Sequence, residues 1–503
     1  METTNLIAID LGASSGRLIS GQFDGDTVQL KEQFRFSNHP VELNGSLYWD
    51  YLKIFQEIKY GLSMAMKDLG HLDGINIDTW GVDYGFVNKQ GELLFAPHSY
   101  RDTRGEAFTT AFDETLPSPT LYAKTGNQPD KINTNMQLFA DLRRHPFLRE
   151  QADHVLMMPD LIGYFLTGKM HNEFTIASTS GLLDTQTREW NTEVLDQLGI
   201  PRRWFGALIT GGRVLGTVLP SIAADLQLNG DIPVITGVGH DTASALLALP
   251  IAEAERANAA FISCGTWSIV GRQTAAPDVS DAAYQAGLTN EGCFDGSNRL
   301  LRNLTGLWII QELQNEWSYK GEMVDFGRMT KEAEEAASIG AYIDSNAPLF
   351  STPGQMEEKI KAFLTATDQH QPQTRGELVR VVIESLAMAY RQIIRNLEDV
   401  TGVPIKTINM FGGGIKNQLL VRLTADYTQK AIITGPTEAT GMGNIVSQLQ
   451  TLKLLTPEAT TAVMAKSFAV DRTEPSAQPT LAEQYRRFQN VVSTSQALTF
   501  TGV

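Results

Sequence analysis

A carboxylate, Asp10, ends an otherwise apolar strand-like run, Leu6-Ile7-Ala8-Ile9, and is followed at once by Gly12-Ala13-Ser14-Ser15-Gly16 and Arg17. The successive backbone N–H groups and the hydroxyls of Ser14 and Ser15 could wrap phosphate oxygens without a helix dipole. The same turn is also readable as an ordinary glycine-serine hairpin. Asp10 tips the balance, because a carboxylate on an apolar strand needs water, a donor or a cation, and a metal-bound water beside the phosphates would serve. Arg17 either adds charge to that phosphate site or lies on the strand's solvated face.

A second constellation is Gly239-His240-Asp241-Thr242, between a strand-like run over 232–238 and a helix-like SALLAL run. Asp or Thr here reads as a helix N-cap. Asp241 could cap the helix and still accept the proton of a substrate hydroxyl while that oxygen attacks phosphorus. Asp78, Trp80, Asp83, Tyr100, Arg101 and Asp102 supply carboxylates, an indole and a guanidinium, the materials for gripping a polyol, although Trp80 alone reads equally as core. Asn303 and Gln311 are eight apart on the helix expected around Gly306-Leu307-Trp308-Ile309-Ile310.

The elements that must position these groups follow from pattern. Leu6–Ile9 and Arg17–Ser20 read as two strands, so the glycine-bounded turn closes a hairpin. Rossmann and Walker loops open a helix instead, so neither dinucleotide motif is present. A further strand is expected over 74–87. A second strand-turn-strand spans 259–270 with Ser263-Cys264-Gly265-Thr266 in its turn, about 250 residues after the first. Repetition of this device points to two related α/β halves facing a shared ligand. Apolar spacing from Leu378 to Val400 predicts a helix stopped by Gly402 and Pro404. A strand over 405–411, then Gly412-Gly413-Gly414 and a helix from about Asn417, make a backbone-lined site at a sheet's C-terminal end. The stretches 345–375 and 466–480 read as surface connections.

Composition narrows the class. The 503 residues carry 41 Lys+Arg against 57 Asp+Glu, a net charge of −16 that argues against a sequence-independent nucleic-acid binder. Two cysteines exclude a disulfide framework and fit a reducing compartment. No window approaches the roughly 18 apolar residues of a membrane span, and the opening METTN has no basic stretch. A cytoplasmic protein with no membrane or nucleic-acid partner is the expectation. HExxH, GxSxG, paired CxxC and kinase HRD motifs are absent, and the eight histidines show no ligand-like pairing.

The order of the motifs is itself informative. IDLGASSGR (9–17), IDTWGVD (77–83), YRDTR (100–104), MPDLIGYFLTGK (158–169), GHDTASA (239–245), SCGTWS (263–268), RNLTGLWIIQ (302–311) and FGGGIKN (411–417) closely resemble the FGGY carbohydrate kinases from about residue 5 to about residue 450. ASSGR, DTWGVD and RNLTGLW resemble the branch acting on rhamnulose more than the glycerol or xylulose branches. Gly414 stands where the family's name has Tyr, as expected of that branch. The resemblance implies an α/β fold of two actin/hexokinase/Hsp70-like (ribonuclease H-like) domains with ATP and sugar in the cleft. Residues 1–247 would bind sugar and carry the first phosphate hairpin, and 248–503 would bind nucleotide and end in a helical tail.

By the same resemblance Asp241 would be the general base, and Gly81, His240, Asp241, Thr242 and Asn303 would contact the ketose. Ala13, Ser14, Ser15, Gly16, Arg17, Thr266, Gln311 and Gly413 would contact ATP, with Asn417 near the adenine and Asp10 reaching Mg²⁺ through water. The implied reaction is ATP-dependent phosphorylation of L-rhamnulose at O1. Two alternatives stay open: a kinase for another ketose such as L-fuculose or L-xylulose, and a non-catalytic nucleotide switch of the actin or Hsp70 type.

Overall fold

The computed structural model describes residues 3–228 and 230–498. They form two compact units through which the chain passes repeatedly. One takes the described residues within 1–252, 274–300 and 439–468, the other those within 253–273, 301–438 and 469–503.

In the first unit, strands Thr4–Leu11 and Ser15–Phe23 form the expected hairpin, with Asp10 opposite Arg17 and Leu11 opposite Gly16. The first strand also pairs in parallel with Gly74–Thr79, which brings Asp10 level with Asp78. Leu6 to Ile9 are apolar throughout because this strand is covered on both faces. Ile7, Ile9 and Leu11 pack with Ile54, Ile58 and Leu62 of helix Tyr51–Leu69. Leu6 and Ala8 pack instead with Met442, Ile445 and Leu449 of helix Ala439–Thr451. Period-2 alternation thus sorts one continuous apolar run between two layers. Strand Pro233–Thr236 joins the sheet beside Gly74–Thr79, and the chain leaves it through Gly239 and His240 into helix Asp241–Leu247.

The strand expected over 74–87 is broken. It ends at Thr79, the backbone turns through Trp80–Asp83 with Val82 at φ 68°, and Tyr84–Asn88 pairs in a separate ribbon with Ala152–Met157. The Thr179 hydroxyl accepts the Val82 N–H at 3.0 Å, which holds that left-handed turn.

The second unit repeats the device. Ala259–Cys264 and Trp267–Thr274 form an antiparallel hairpin, and the first of them pairs in parallel with Thr407–Phe411. Ala431–Thr434 and Asp471–Thr473 extend this sheet. Helix Arg375–Thr401 starts in a capping box between Thr374 and Glu377 and stops at Gly402, φ 65°.

Two expectations here need correction. Residues 302–311 are not one helix: Asn303 lies in strand Asn298–Thr305, and the helix runs from Trp308 to Tyr319. A Cβ on Gly306 would stand 2.7 Å from the Ser268 backbone nitrogen, so only glycine lets the chain turn against the hairpin there. Residues 345–375 are not mere connection either, because helix Met356–Ala366 buries Met356, Ile360, Phe363 and Leu364 at helical spacing.

Candidate active site

Strand register puts three carboxylates at one end of the first unit's sheet. Asp10 and Asp78 are paired positions on adjacent parallel strands, and the Thr79 N–H donates to Gly239 O at 2.9 Å, which anchors the segment leading to Asp241. Asp10 is ion-paired with Arg17, so that guanidinium faces the carboxylate rather than open solvent. Asp78 is fully buried; Asn444 Nδ2 donates to its Oδ2 at 2.5 Å, while its Oδ1 has no hydrogen-bond partner among the described residues. Burial, with the charges of Asp10 and Asp241 adding to it, holds the Asp78 carboxyl well above the usual range. Asp241 is raised to about 7 by burial first and by Asp10 second, against hydrogen bonds from Thr242.

Asp241 is not the helix cap. His240 is: its Nδ1 accepts the Thr242 N–H at 3.2 Å, while the Thr242 hydroxyl donates to Asp241 Oδ1 at 3.1 Å. Gly81 lies beside this pair, since a Cβ there would come within 3.2 Å of His240 Nε2 and 3.1 Å of Thr179. The structure therefore brings Gly81, His240, Asp241 and Thr242 together. A carboxylate with about a third of its side chain open to solvent and a pKa raised to about 7 is suited to accept a hydroxyl proton.

Trp80, Asp83 and Asp102 are not arranged to grip a polyol. The Trp49 and Trp80 indoles, 4.2 Å apart, both donate to Asp83 Oδ2, at 2.7 and 2.9 Å, and Gln137 occupies Oδ1 at 3.1 Å. Asp102 caps the turn Thr103–Phe108 and accepts the Leu47 N–H. These carboxylates are spent on the scaffold.

The first hairpin turn is closed by Gly12 N–H to Ser15 O at 2.9 Å. Asn38, buried, clamps it from outside: its N–H donates to Ser14 O and its Nδ2 to Gly12 O. A Cβ on Gly16 would strike the Phe36 ring at 2.2 Å. Ala13, Ser14 and Ser15 line the turn with Ser14 exposed.

In the second unit, Thr266 donates to Gln311 Oε1 at 3.2 Å, which joins two of the expected nucleotide residues. The N–H groups of Gly306 and Trp308 both donate to Thr266 O at 3.1 Å and so fix the turn. Gly412 and Gly414 press on Cys264, a Cβ on Gly414 falling 2.2 Å from its Sγ, whereas nothing lies within 4 Å of a Cβ on Gly413. Gly413 thus keeps an open backbone face. The Asn417 side chain caps helix Gln418–Thr428 by accepting the Leu420 N–H. Asn303 is exposed on its strand. Cys264 is buried, its thiol pushed up to about 11 by burial, which leaves little thiolate to oxidise.

Sequence reasoning missed several supports. Arg299, fully buried, donates to His240 Nδ1 and is held by Glu291. Glu173, raised to about 7 by burial, accepts the Gly239 N–H at 3.1 Å and the Thr175 hydroxyl at 2.6 Å. Neither residue lies in a motif, so no local signal marked them.

The FGGY family of carbohydrate kinases matches by its N-terminal domain over residues 5–248 and by its C-terminal domain over 260–451. A rhamnulokinase from Bacteroides thetaiotaomicron is 36% identical over 97% of this chain and 99% of its own. One from Oceanobacillus iheyensis is 36% identical over 90% and 94%. Among solved structures, a ligand-bound xylulose kinase from Lactobacillus acidophilus superposes with TM-score 0.81, at 16% identity over 99% of both chains. Plasmodium falciparum glycerol kinase with ADP gives 0.79, at 15% identity over 99% of both. The fold is the two-domain actin/hexokinase-like fold of the sugar kinases. With matched domains covering most of its length, the chain belongs to the FGGY family of carbohydrate kinases.

Proposed function

We propose that this protein transfers the γ-phosphoryl group of ATP to O1 of L-rhamnulose, giving L-rhamnulose 1-phosphate and ADP. The observation that carries this reading is the 36% identity, over nearly the whole of both chains, to a protein named rhamnulokinase. In the reaction O1 attacks phosphorus in line, the bond to the β-phosphate oxygen breaks, and Asp241 takes the O1 proton. Its near-neutral pKa suits that transfer, and the role needs placement more than basicity. Gly81, His240, Thr242 and Asn303 are assigned to the ketose. Ala13 to Arg17, whose turn offers backbone N–H groups, are assigned to phosphate; Thr266, Gln311 and Gly413 are assigned to the nucleotide.

The residues present fit a divalent cation held through water. Among the described residues no group of three or more acidic, His or Cys side chains is placed to chelate an ion directly. Yet Asp78 has an orphaned buried oxygen and lies level with Asp10, and a hydrated Mg²⁺ would offset the cost of ionising the two carboxyls together. When bound, that ion would neutralise charge on the β- and γ-phosphates. Asp10, with Asp78 behind it, would hold it through its waters.

The test is ADP production from MgATP with L-rhamnulose, L-fuculose, L-xylulose, D-fructose and glycerol. A preference for L-rhamnulose that vanishes in Asp241→Asn supports the assignment. Turnover favouring another ketose replaces the substrate, and sugar-independent turnover equal in both proteins replaces the enzyme by a nucleotide switch.

A further inference from the structure

The His240 ring is held through its Nδ1. Its Nδ1 accepts two N–H groups, the Thr242 backbone at 3.2 Å and Arg299 Nη2 at 3.0 Å. A guanidinium can only donate, so Nδ1 must present its lone pair, and the proton of the neutral ring sits on Nε2. Arg299 cannot swing away. Its Nε and Nη2 donate to Glu291 Oε2, at 3.1 and 2.5 Å, and its Nη1 to Gly292 O at 2.8 Å. Burial, reinforced by the Arg299 charge, keeps the ring uncharged.

On the other side Nε2 has no hydrogen-bond partner among the described residues and borders the space left by the missing side chain of Gly81. Asp241 Oδ1 lies 3.6 Å from Nδ1. A proton on Nδ1 would therefore pair the ring with the very carboxylate assigned as base.

We propose that Arg299 is a positioning residue: by donating to Nδ1 together with the Thr242 N–H it holds His240 as the Nε2–H tautomer, which aims a donor at an acceptor oxygen of the ketose over Gly81 and leaves Asp241 free. The inference rests on the sugar-kinase reading for its ligand, but the tautomer is measurable without one.

Histidine-selective ¹⁵N labelling, with His240 assigned through His240→Gln, reports which ring nitrogen is bare. A bare Nδ1 and a protonated Nε2 at neutral pH are expected in the ligand-free protein; a protonated Nδ1 overturns the proposal. For function, Arg299→Met is combined with Glu291→Gln, so that no buried carboxylate is left unpaired. This pair raises KM for L-rhamnulose about 10-fold, the loss of one oriented hydrogen bond, with Kd for ATP unchanged. Arg299→Lys, which keeps charge and a donor, restores most of the loss. In the His240→Gln background the same pair costs less than about 2-fold more, because its route of action is gone. An equal cost in both backgrounds would mean that Arg299 only supports the fold. If the pair does not fold, the ring tautomer in Arg299→Lys decides: a retained bare Nδ1 supports the proposal, and a protonated Nδ1 with unchanged KM sinks it. A wild-type protein inactive on L-rhamnulose would refute the proposed function and leave the tautomer result standing.

Discussion

Asp10 and Asp78 occupy paired positions of two parallel strands, so two buried carboxylates share one end of a sheet, where Arg17 is ion-paired with Asp10. Such a pair is costly without a cation. Asp78→Asn should raise Tm in metal-free buffer at pH 8 and increase the Mg²⁺ needed for half-maximal rate by roughly 10-fold or more. Thermal scans and Mg²⁺ titrations of the rate check this; unchanged values in both would detach Asp78 from the metal site.

Asp241→Asn separates chemistry from binding and from stability. The loss of a general base predicts a kcat lower by about 10²–10⁴, with ATP affinity intact by calorimetry. The wild-type carboxyl is raised from 3.8 to about 7, so its protonated form is favoured on folding. That contribution is fully present below about pH 4 and is lost as pH rises through about 7. The Asn variant lacks the loss and should be more stable at pH 8 by roughly 1–2 kcal/mol, less than full burial would give, since a third of the side chain meets solvent. A less stable variant would contradict the assignment.

The same group predicts the acid limb of the rate profile. Without bound substrates kcat/KM for the sugar should rise about tenfold per pH unit and level off near 7. Asp10→Asn removes one cause of the raised value, so the limb should move to lower pH even if the plateau falls. A limb that stays in place would mean another group governs it.

Neighbouring glycines should behave oppositely. Gly414→Ala drives a Cβ into Cys264, 2.2 Å from Sγ and 2.8 Å from its carbonyl oxygen, and should cost about 1–3 kcal/mol by denaturant melt. Gly413→Ala meets nothing within 4 Å and should melt like wild type while raising KM for ATP. Equal stability of the two variants would show that the Cys264 contact is dispensable.

Both cysteines are buried and both thiols are raised by burial. Ellman's reagent should therefore find no reactive thiol in the native protein and two after unfolding. Rapid native labelling with loss of activity would overturn this and expose a redox-sensitive turn.

Local pattern was enough for the two hairpins, the long helix Arg375–Thr401 and the positions of Asp10, Asp241 and the glycine turns. Each depends on residues near one another in the chain, where alternation, helical spacing and glycine leave a direct trace. Helix Met356–Ala366 was also written in its apolar spacing, but the polar and proline-rich surroundings masked it.

Tertiary structure decided what lies between distant residues. Trp80 and Asp83 looked like sugar ligands by type, yet Trp49 and Gln137, far away in sequence, turn them into scaffold. Asn303 looked helical because nothing local reveals that a strand would pair there. Asp78 became a candidate metal support only when parallel register set it beside Asp10, and Arg299 became a neighbour of His240 only through a strand 59 residues later. Residue type and spacing specify which chemistry is on hand; burial and register, which arise from contacts across the whole chain, decide which of those groups remain free to perform it.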